Sequence, residues 1–395
     1  MIIAATMNST CSGAVGEKPG KEPAEPDGTR IAPSGITAAS PDLQKVSYPQ
    51  APSSSQADSP IQESSPSKES PPLQGAPPRQ SPPSAIVIGS PPLQPDDDTV
   101  RIVVSFAGDC TIGTDASFSR KTSLPQVLAD NDNDFKYFFS GVKEIFQADD
   151  LTLVNLETTL TDATRPAVKQ FRFRGDPAYA GILKEGSVEV VNIANNHTMD
   201  YLQKGFDDTR AALEKAGVEY SGREYLPVID VKGVKVAFIG YTIWDGEVRK
   251  KLLKSLKQAR EEAQVVIVSF HWGVERDYSQ NDDQISLARY AIDNGADAVI
   301  GHHPHVLQGV EYYKGRYIAY SLGNFCFGGN SNPADKDSMI FQNEFEIKQG
   351  RLVKVEAEII PCSISSSKNK NDYRPVVLEG AEGARVLEKI KRTGG

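Results

Sequence analysis

Apolar positions are unevenly spread along the 395 residues, and the unevenness divides the chain. From about Val100 onward short apolar runs recur: "RIVVSFA" (101–107), "LTLVNL" (151–156), "VEVVNIA" (188–194), "VKVAFIGYT" (234–242), "QVVIVSF" (264–270), "ADAVIG" (296–301) and "RYIAYSL" (316–322). Rich in Val, Ile and aromatic residues, they predict buried strands. Between them "FKYFFSGVKEIFQ" (135–147), "QKGFDDTRAALEKAG" (203–217) and "DDQISLARYAIDNG" (282–295) carry helical periodicity, the last two closing on a Gly suited to a C-cap. The basic run "RKKLLKSLKQAR" (249–260) reads as an exposed helix face. Beyond Ser338, "MIFQNEFEIKQGRLVKVEAEII" predicts an antiparallel hairpin turning at Gln349-Gly350, and "GAEGARVLEKIKR" a terminal helix. Strands alternating with helices make this an α/β protein with largely parallel or mixed sheets.

Composition changes the picture for the first quarter. Of the 26 prolines, 18 lie in residues 1–98, interleaved with serine runs such as "QESSPSKESPP". Such a stretch buries too little surface to offset its ordering entropy, so residues 12–98 read as a disordered Pro/Ser-rich linker. The expected organisation is a short signal-like segment (1–11), that linker, one domain at 99–362, and a C-terminal extension (363–395) ending in a helix. "MIIAATMNSTC" also suggests a lipoprotein signal with Cys11 as the lipidated residue, hence an extracytoplasmic, cell-surface location with membrane contact only through that anchor. No stretch approaches a transmembrane span. The net charge of −9, without a basic stripe, argues against nucleic acid. Cys11, Cys110, Cys326 and Cys362 show no CxxC spacing, which indicates neither a thiolate zinc site nor a disulfide framework.

In α/β folds ligands gather beyond the carboxyl ends of the strands. Here those positions hold Asp109, then Asn155 and Glu157, then Asn195, Asn196 and His197, then His271 and Glu275, and finally Ser321 and Asn324. "VIGHHPHVLQGV" (299–310) adds His302, His303 and His305, so all five histidines of the chain follow apolar runs. Taken singly, each has an ordinary explanation: a hydrogen-bonded histidine, an Asn-Asn turn, a helix-capping Asp, a helix N-terminal carboxylate. Taken together, carboxylates, amides and imidazoles form the donor set of a divalent cation such as Mn²⁺, Fe²⁺, Zn²⁺ or Mg²⁺. In an extended strand end His303 and His305 would share a face, leaving His302 opposite them in a structural role. Arg172 and Arg174 in "FRFRGDP" alternate in the same way and offer either an anion clamp or ordinary edge-strand charges.

The motifs "GDCTIG", "NLETTLT", "FRFRGDP", "NIANNHTMDYLQKG", "FHWGVE", "GHHPHVLQGVE" and "YSLGNFCFG" resemble, in unbroken order over about residues 101–362, those of the CapA family of poly-γ-glutamate capsule biosynthesis proteins. That family is similar in fold to the calcineurin-like metallophosphoesterases. The resemblance implies a four-layer αββα sandwich with one or two metal ions at the strand ends. It implies Asp109, Glu157 (bridging), Asn196, His271, His303 and His305 as ligands and His197 as general acid. Arg172, Arg174, Asn195, Glu275 and Asn324 are then expected around the substrate, an anionic polymer or phosphorylated compound, with membrane capsule-synthesis proteins as partners. Two positions depart from the phosphoesterase pattern: Asp109-Cys110-Thr111 lacks the histidine of Asp-x-His, and Glu157 replaces an Asp. The functions left open are a metal-dependent hydrolase or transferase of the capsule polymer, a phosphoesterase with an unrelated substrate, and a non-catalytic polymer-binding partner.

Overall fold

The structure is a computed structural model and describes residues 98–243 and 247–393. The Pro/Ser-rich linker and Cys11 lie outside the described residues. The larger sheet runs β17 (Val376–Val377), β16 (Arg351–Ser363), β15 (Asp337–Lys348), β1 (Thr99–Thr111), β3 (Leu151–Leu156), β6 (Val190–Asn192) and β7 (Glu219–Ser221), with β14 (Asn324–Phe327) beside the end of β1. Its strands from β1 to β7 are parallel, while β15, β16 and β17 alternate in direction. The second sheet runs β12 (Val310–Tyr313), β13 (Arg316–Ala319), β11 (Ala298–His302), β10 (Val265–His271), β9 (Val234–Thr242) and β8 (Val228–Val231), and its four middle strands are parallel. A small sheet of β2 (Thr114–Asp115), β5 (Phe173–Gly175) and β4 (Thr159–Leu160) stands apart from both.

Side-chain alternation along the strands sorts the core into three layers. Ile102, Val104 and Phe106 of β1, Leu151 and Leu153 of β3, Phe238 of β9 and Val265 and Ile267 of β10 meet between the two sheets. On the outer face of the larger sheet Val154, Leu156 and Cys110 pack with residues of α1 (Leu124–Asp130), α2 (Lys143–Ala148), α3 (Ala180–Glu185) and α4 (Leu202–Ala216). On the outer face of the second, Val266, Val268 and Phe270 pack on Leu252, Leu256 and Ala259 of α5 (Val248–Glu262) and on Leu287, Ala288 and Ala291 of α6 (Asp282–Asp293). Helices, sheet, sheet, helices: the fold is the expected four-layer αββα sandwich.

Several expectations need refining. The helix expected over 135–147 is interrupted, with a single 3₁₀ turn at Phe135–Tyr137 and α2 beginning only at Lys143. Gly141 lies in the gap, where an added Cβ would overlap the Pro375 carbonyl oxygen, so backbone contact overrides the helical pattern. Residues beyond 362 are built into the domain rather than appended to it. Val386 and Ile390 of α7 (Gly380–Thr393) join the core between the sheets, and Arg385 and Lys389 pair with Asp337 at 2.7 and 2.9 Å. The hairpin turn falls where expected: Gln349 and Gly350 both have positive φ, at 51° and 71°, as a type I′ turn requires.

At the amino ends of the parallel strands, remote from the strand-end cluster, two carboxylates share Thr152. Asp149 accepts from its hydroxyl at 2.8 Å and Glu189 from its backbone N–H at 2.8 Å. Burial, with each charge repelling another nearby, raises Asp149 to about 6 and Glu189 to about 7. A raised carboxyl stabilises the fold while protonated and loses that contribution as pH rises through its folded value. Glu189→Gln, which keeps the acceptor oxygen, is therefore expected to stabilise the protein at pH 8 by on the order of 1 kcal/mol after solvent screening. Little difference should remain at pH 5. Urea unfolding of both proteins at the two pH values checks this.

Candidate metal centre

The carboxyl ends of β1, β3, β6, β10 and β11 bring the strand-end residues to one place. Asp109, near the end of β1, sits in register with Asn155 of β3 and Asn324 of β14, and its carboxylate is fully buried. Leaving a charge there without partners would cost several kcal/mol. It has partners on every side: Asn155 Nδ2 and the His303 N–H donate to it at 2.8 and 3.2 Å, and His305 Nδ1 lies 3.1 Å away. Burial alone would push Asp109 up, but His302 and His305 overcome it and hold the carboxyl well below the usual carboxylate range.

Glu157 follows β3 immediately and is 1% exposed, yet neither of its oxygens accepts a hydrogen bond. Three imidazole Nε2 atoms converge on its Oε1: His271 at 3.5 Å, His197 at 3.9 Å and His305 at 3.9 Å. Asn196 Oδ1 lies 3.0 Å from the same His271 nitrogen. Burial, reinforced by the charges of Asp109, Glu275 and Asp200 against the opposing pull of His305, pushes the Glu157 carboxyl well above its ordinary range. Burial works against a charged His305 as well, but Glu157 and Asp109 beside it raise that ring to about 10. Burial lowers His303 to about 4 and holds His271 well below its ordinary value.

The donor set fits a divalent cation. Ligand atoms of Glu157, His271 and His303 lie within 4.8 Å of one another, and so do those of Asp109, Glu157 and His305. The two groups share only Glu157, the bridging arrangement the resemblance implies. His302, 3.5 Å from Asp109, belongs to neither. The reason for grouping His303 with His305 differs from the expectation, however. Both residues have positive φ, 97° and 58°, so a tight left-handed turn rather than strand alternation presents the rings. Gly301, just before the turn, runs so close to Tyr320 that a Cβ would overlap its carbonyl oxygen.

Several residues expected to face substrate are engaged with protein instead. Asn195 donates to Leu156 O and Asn155 Oδ1 at 2.9 and 3.2 Å and accepts from the His197 N–H at 3.0 Å. Asn324 Oδ1 accepts from His305 Nδ1 at 2.9 Å and so orients a ligand ring. Arg172 lies against Asp115 at 3.8 Å, and Arg174 donates to Ala163 O at 2.7 Å while stacking over Tyr201. It is Phe173 between them that reaches the site, its ring 4.6 Å from that of His197. Two participants escaped the sequence reading. Asp200 Oδ2 lies 2.7 Å from His197 Nδ1, and Lys169 Nζ bonds Asp200 at 2.6 Å and the Asn196 carbonyl at 2.8 Å. The only signal for Asp200 was its spacing three residues after His197; Lys169 lies in a loop with no local signal. Burial lowers His197, with Asp200 opposing.

The site and layers thus define a four-layer αββα protein with a buried carboxylate, amide and imidazole cluster whose donors fit a cation. The family model described as bacterial capsule synthesis protein PGA_cap matches residues 103–329, and the chain belongs to that family. It is 35% identical over 213 residues to the PGA biosynthesis protein CapA of Bacillus subtilis (strain 168), covering 48% of this chain and 56% of the relative. It is 34% identical over 237 residues to the capsule biosynthesis protein CapA of Bacillus anthracis, covering 52% and 57%. The chain therefore spans little more than half the length of these relatives. Among solved structures, a 5'-nucleotidase from Candida albicans SC5314 aligns with a TM-score of 0.40 at 11% identity, over 73% of this chain and 56% of that one. Among the described residues no helix is long and apolar enough to cross a membrane.

Proposed function

We propose that this protein acts in capsule formation outside the cytoplasm, on a poly-γ-glutamate chain, through a divalent-cation centre held by Asp109, Glu157, Asn196, His271, His303 and His305. The observation that carries this reading is Glu157: a fully buried carboxylate with no hydrogen bond to either oxygen and three imidazole nitrogens aimed at one of them. A structural carboxylate would be satisfied by donors. A cation of the Mn²⁺, Fe²⁺, Zn²⁺ or Mg²⁺ type supplies Lewis-acid polarisation of a carbonyl or phosphoryl oxygen there. His197 carries the proton. Its Nδ1 is tied to Asp200, which leaves Nε2 facing the centre to act as general acid toward the leaving group. Lys169, its side chain 30% exposed, is the cation beside this pair and favours an anionic substrate at the mouth.

The test is to incubate the full chain with poly-γ-glutamate and follow polymer length by gel electrophoresis, with added Mn²⁺ or Zn²⁺ and with a chelator. Metal-dependent shortening or transfer, abolished by the chelator, is the expected result. Turnover of simple phosphoesters with the polymer untouched would move the assignment to a phosphoesterase. Metal bound with turnover of neither would make the centre a structural part of a polymer-binding protein.

A further inference from the structure

The loop between β10 and α6 lies beside the turn that carries His303 and His305, and it is pinned there. Trp272, fully buried at its start, donates from Nε1 to Tyr320 O at 2.8 Å. The Arg276 N–H donates to Pro304 O at 2.8 Å, tying the loop to the turn that carries His303 and His305. Gln308 Nε2 then donates to the carbonyls of Asp277 and Ser279 at 2.9 and 3.1 Å. These ties hold Glu275 where its carboxylate and ring nitrogens of His303 and His305 lie within 4.8 Å of one another. Its charge acts on Glu157, His303 and His305 alike.

This outer group differs from the inner two. Glu275 is exposed, the His305 side chain is 18% exposed, His303 is 6% exposed, and Asp109, Glu157 and His271 are all but sealed. The order is a path from solvent to the interior. The outer group also shares ligands with both inner ones, His303 with one and His305 with the other. Because His305 Nδ1 faces two acceptors, Asn324 Oδ1 and Asp109, it keeps its proton when an ion displaces the one on Nε2, which then offers the ring's only lone pair. An ion held outside by that nitrogen therefore cannot coexist with a filled inner pair. A hydrated cation must also exchange its waters for protein ligands in steps, and the outer set is the first it meets.

We propose that Glu275, with His303 and His305, forms an outer divalent-cation position through which ions enter and leave the buried centre, a role that rests on the centre holding metal. The experiment mixes the full chain with Mn²⁺ or Zn²⁺ in a stopped-flow instrument, with a chelating dye reporting free ion, for wild type, Glu275→Gln and Asp283→Asn. Asp283 is an exposed acid at the start of α6, outside every ligand cluster, and its variant changes the net charge equally. Loading of Glu275→Gln is expected to slow by on the order of tenfold at unchanged final stoichiometry, with Asp283→Asn like wild type. Three results would overturn the proposal: wild-type loading by Glu275→Gln, equal slowing in both variants, or loss of a whole equivalent in Glu275→Gln, which would make Glu275 a permanent ligand. Wild type taking up no ion would overturn the metal centre itself.

Discussion

Glu157→Gln is expected to make the metal-free protein more stable at pH 8 while abolishing its response to metal. The buried carboxyl has no hydrogen-bond donor, and burial with three nearby negative charges raises it well above its ordinary range. Its folded state is thus favoured below the ordinary carboxylate range, and that contribution is lost as pH rises through the folded value. Glutamine cannot ionise, so the variant escapes the loss, a gain of roughly 1–3 kcal/mol for a buried group no longer forced to carry an unpaired charge. The gap should widen with pH and close in mild acid. Metal reverses the ranking: an ion present at a thousandfold excess over its Kd stabilises the wild type by about 4 kcal/mol and a variant that does not bind it by nothing. Melting curves with and without Mn²⁺ across pH 5–8 report both effects. A variant less stable than wild type under all conditions would mean that Glu157 is an ordinary structural residue.

The second large effect falls on turnover. Asp200→Asn is expected to reduce polymer processing by about 10²–10⁴-fold, the range for removing a positioned general acid–base group. Metal content should not change. Asparagine can still accept the Phe173 N–H that Asp200 takes at 2.6 Å, so the backbone stays tied. The His197 Nδ1 contact is to the same Oδ2, so an amide oxygen there keeps it too. What asparagine lacks is the negative charge that favours a ring protonated on both nitrogens, and its amide group would face Lys169 Nζ, which Asp200 Oδ1 holds at 2.6 Å. Since the two residues act as one unit, His197→Ala should cost a similar factor and the double variant little more. Full additivity, or metal lost from Asp200→Asn, would assign Asp200 to holding the fold rather than the proton.

Much of the architecture could be read from periodicity, because parallel strands buried on both faces leave unmistakable apolar runs and the chemistry follows their carboxyl ends. Asp109, Glu157, His271, His303 and His305 all follow that rule, and the structure brings them together, with Asn196 Oδ1 3.0 Å from His271 Nε2. Side-chain direction was harder. His303 and His305 converge through positive φ, which no apolar pattern reports. Arg172 and Arg174 looked available because Asp115 and Ala163 O, their partners, are distant in sequence. That Glu275 stands beside His303 and His305 could not be read either, because nothing local shows that Gln308 and Pro304 pin its loop there. Lys169 was invisible for the same reason: its three partners lie 27 to 31 residues away.

The central claim is that the strand ends hold divalent metal, and metal analysis by mass spectrometry addresses it most directly. The full chain would be reconstituted with Mn²⁺ or Zn²⁺, desalted and measured beside Glu157→Gln and His303→Ala. One to two equivalents in wild type, lost or sharply reduced in both variants, is the predicted result. Wild type emerging free of metal after either reconstitution, or variants that bind as wild type does, would contradict it.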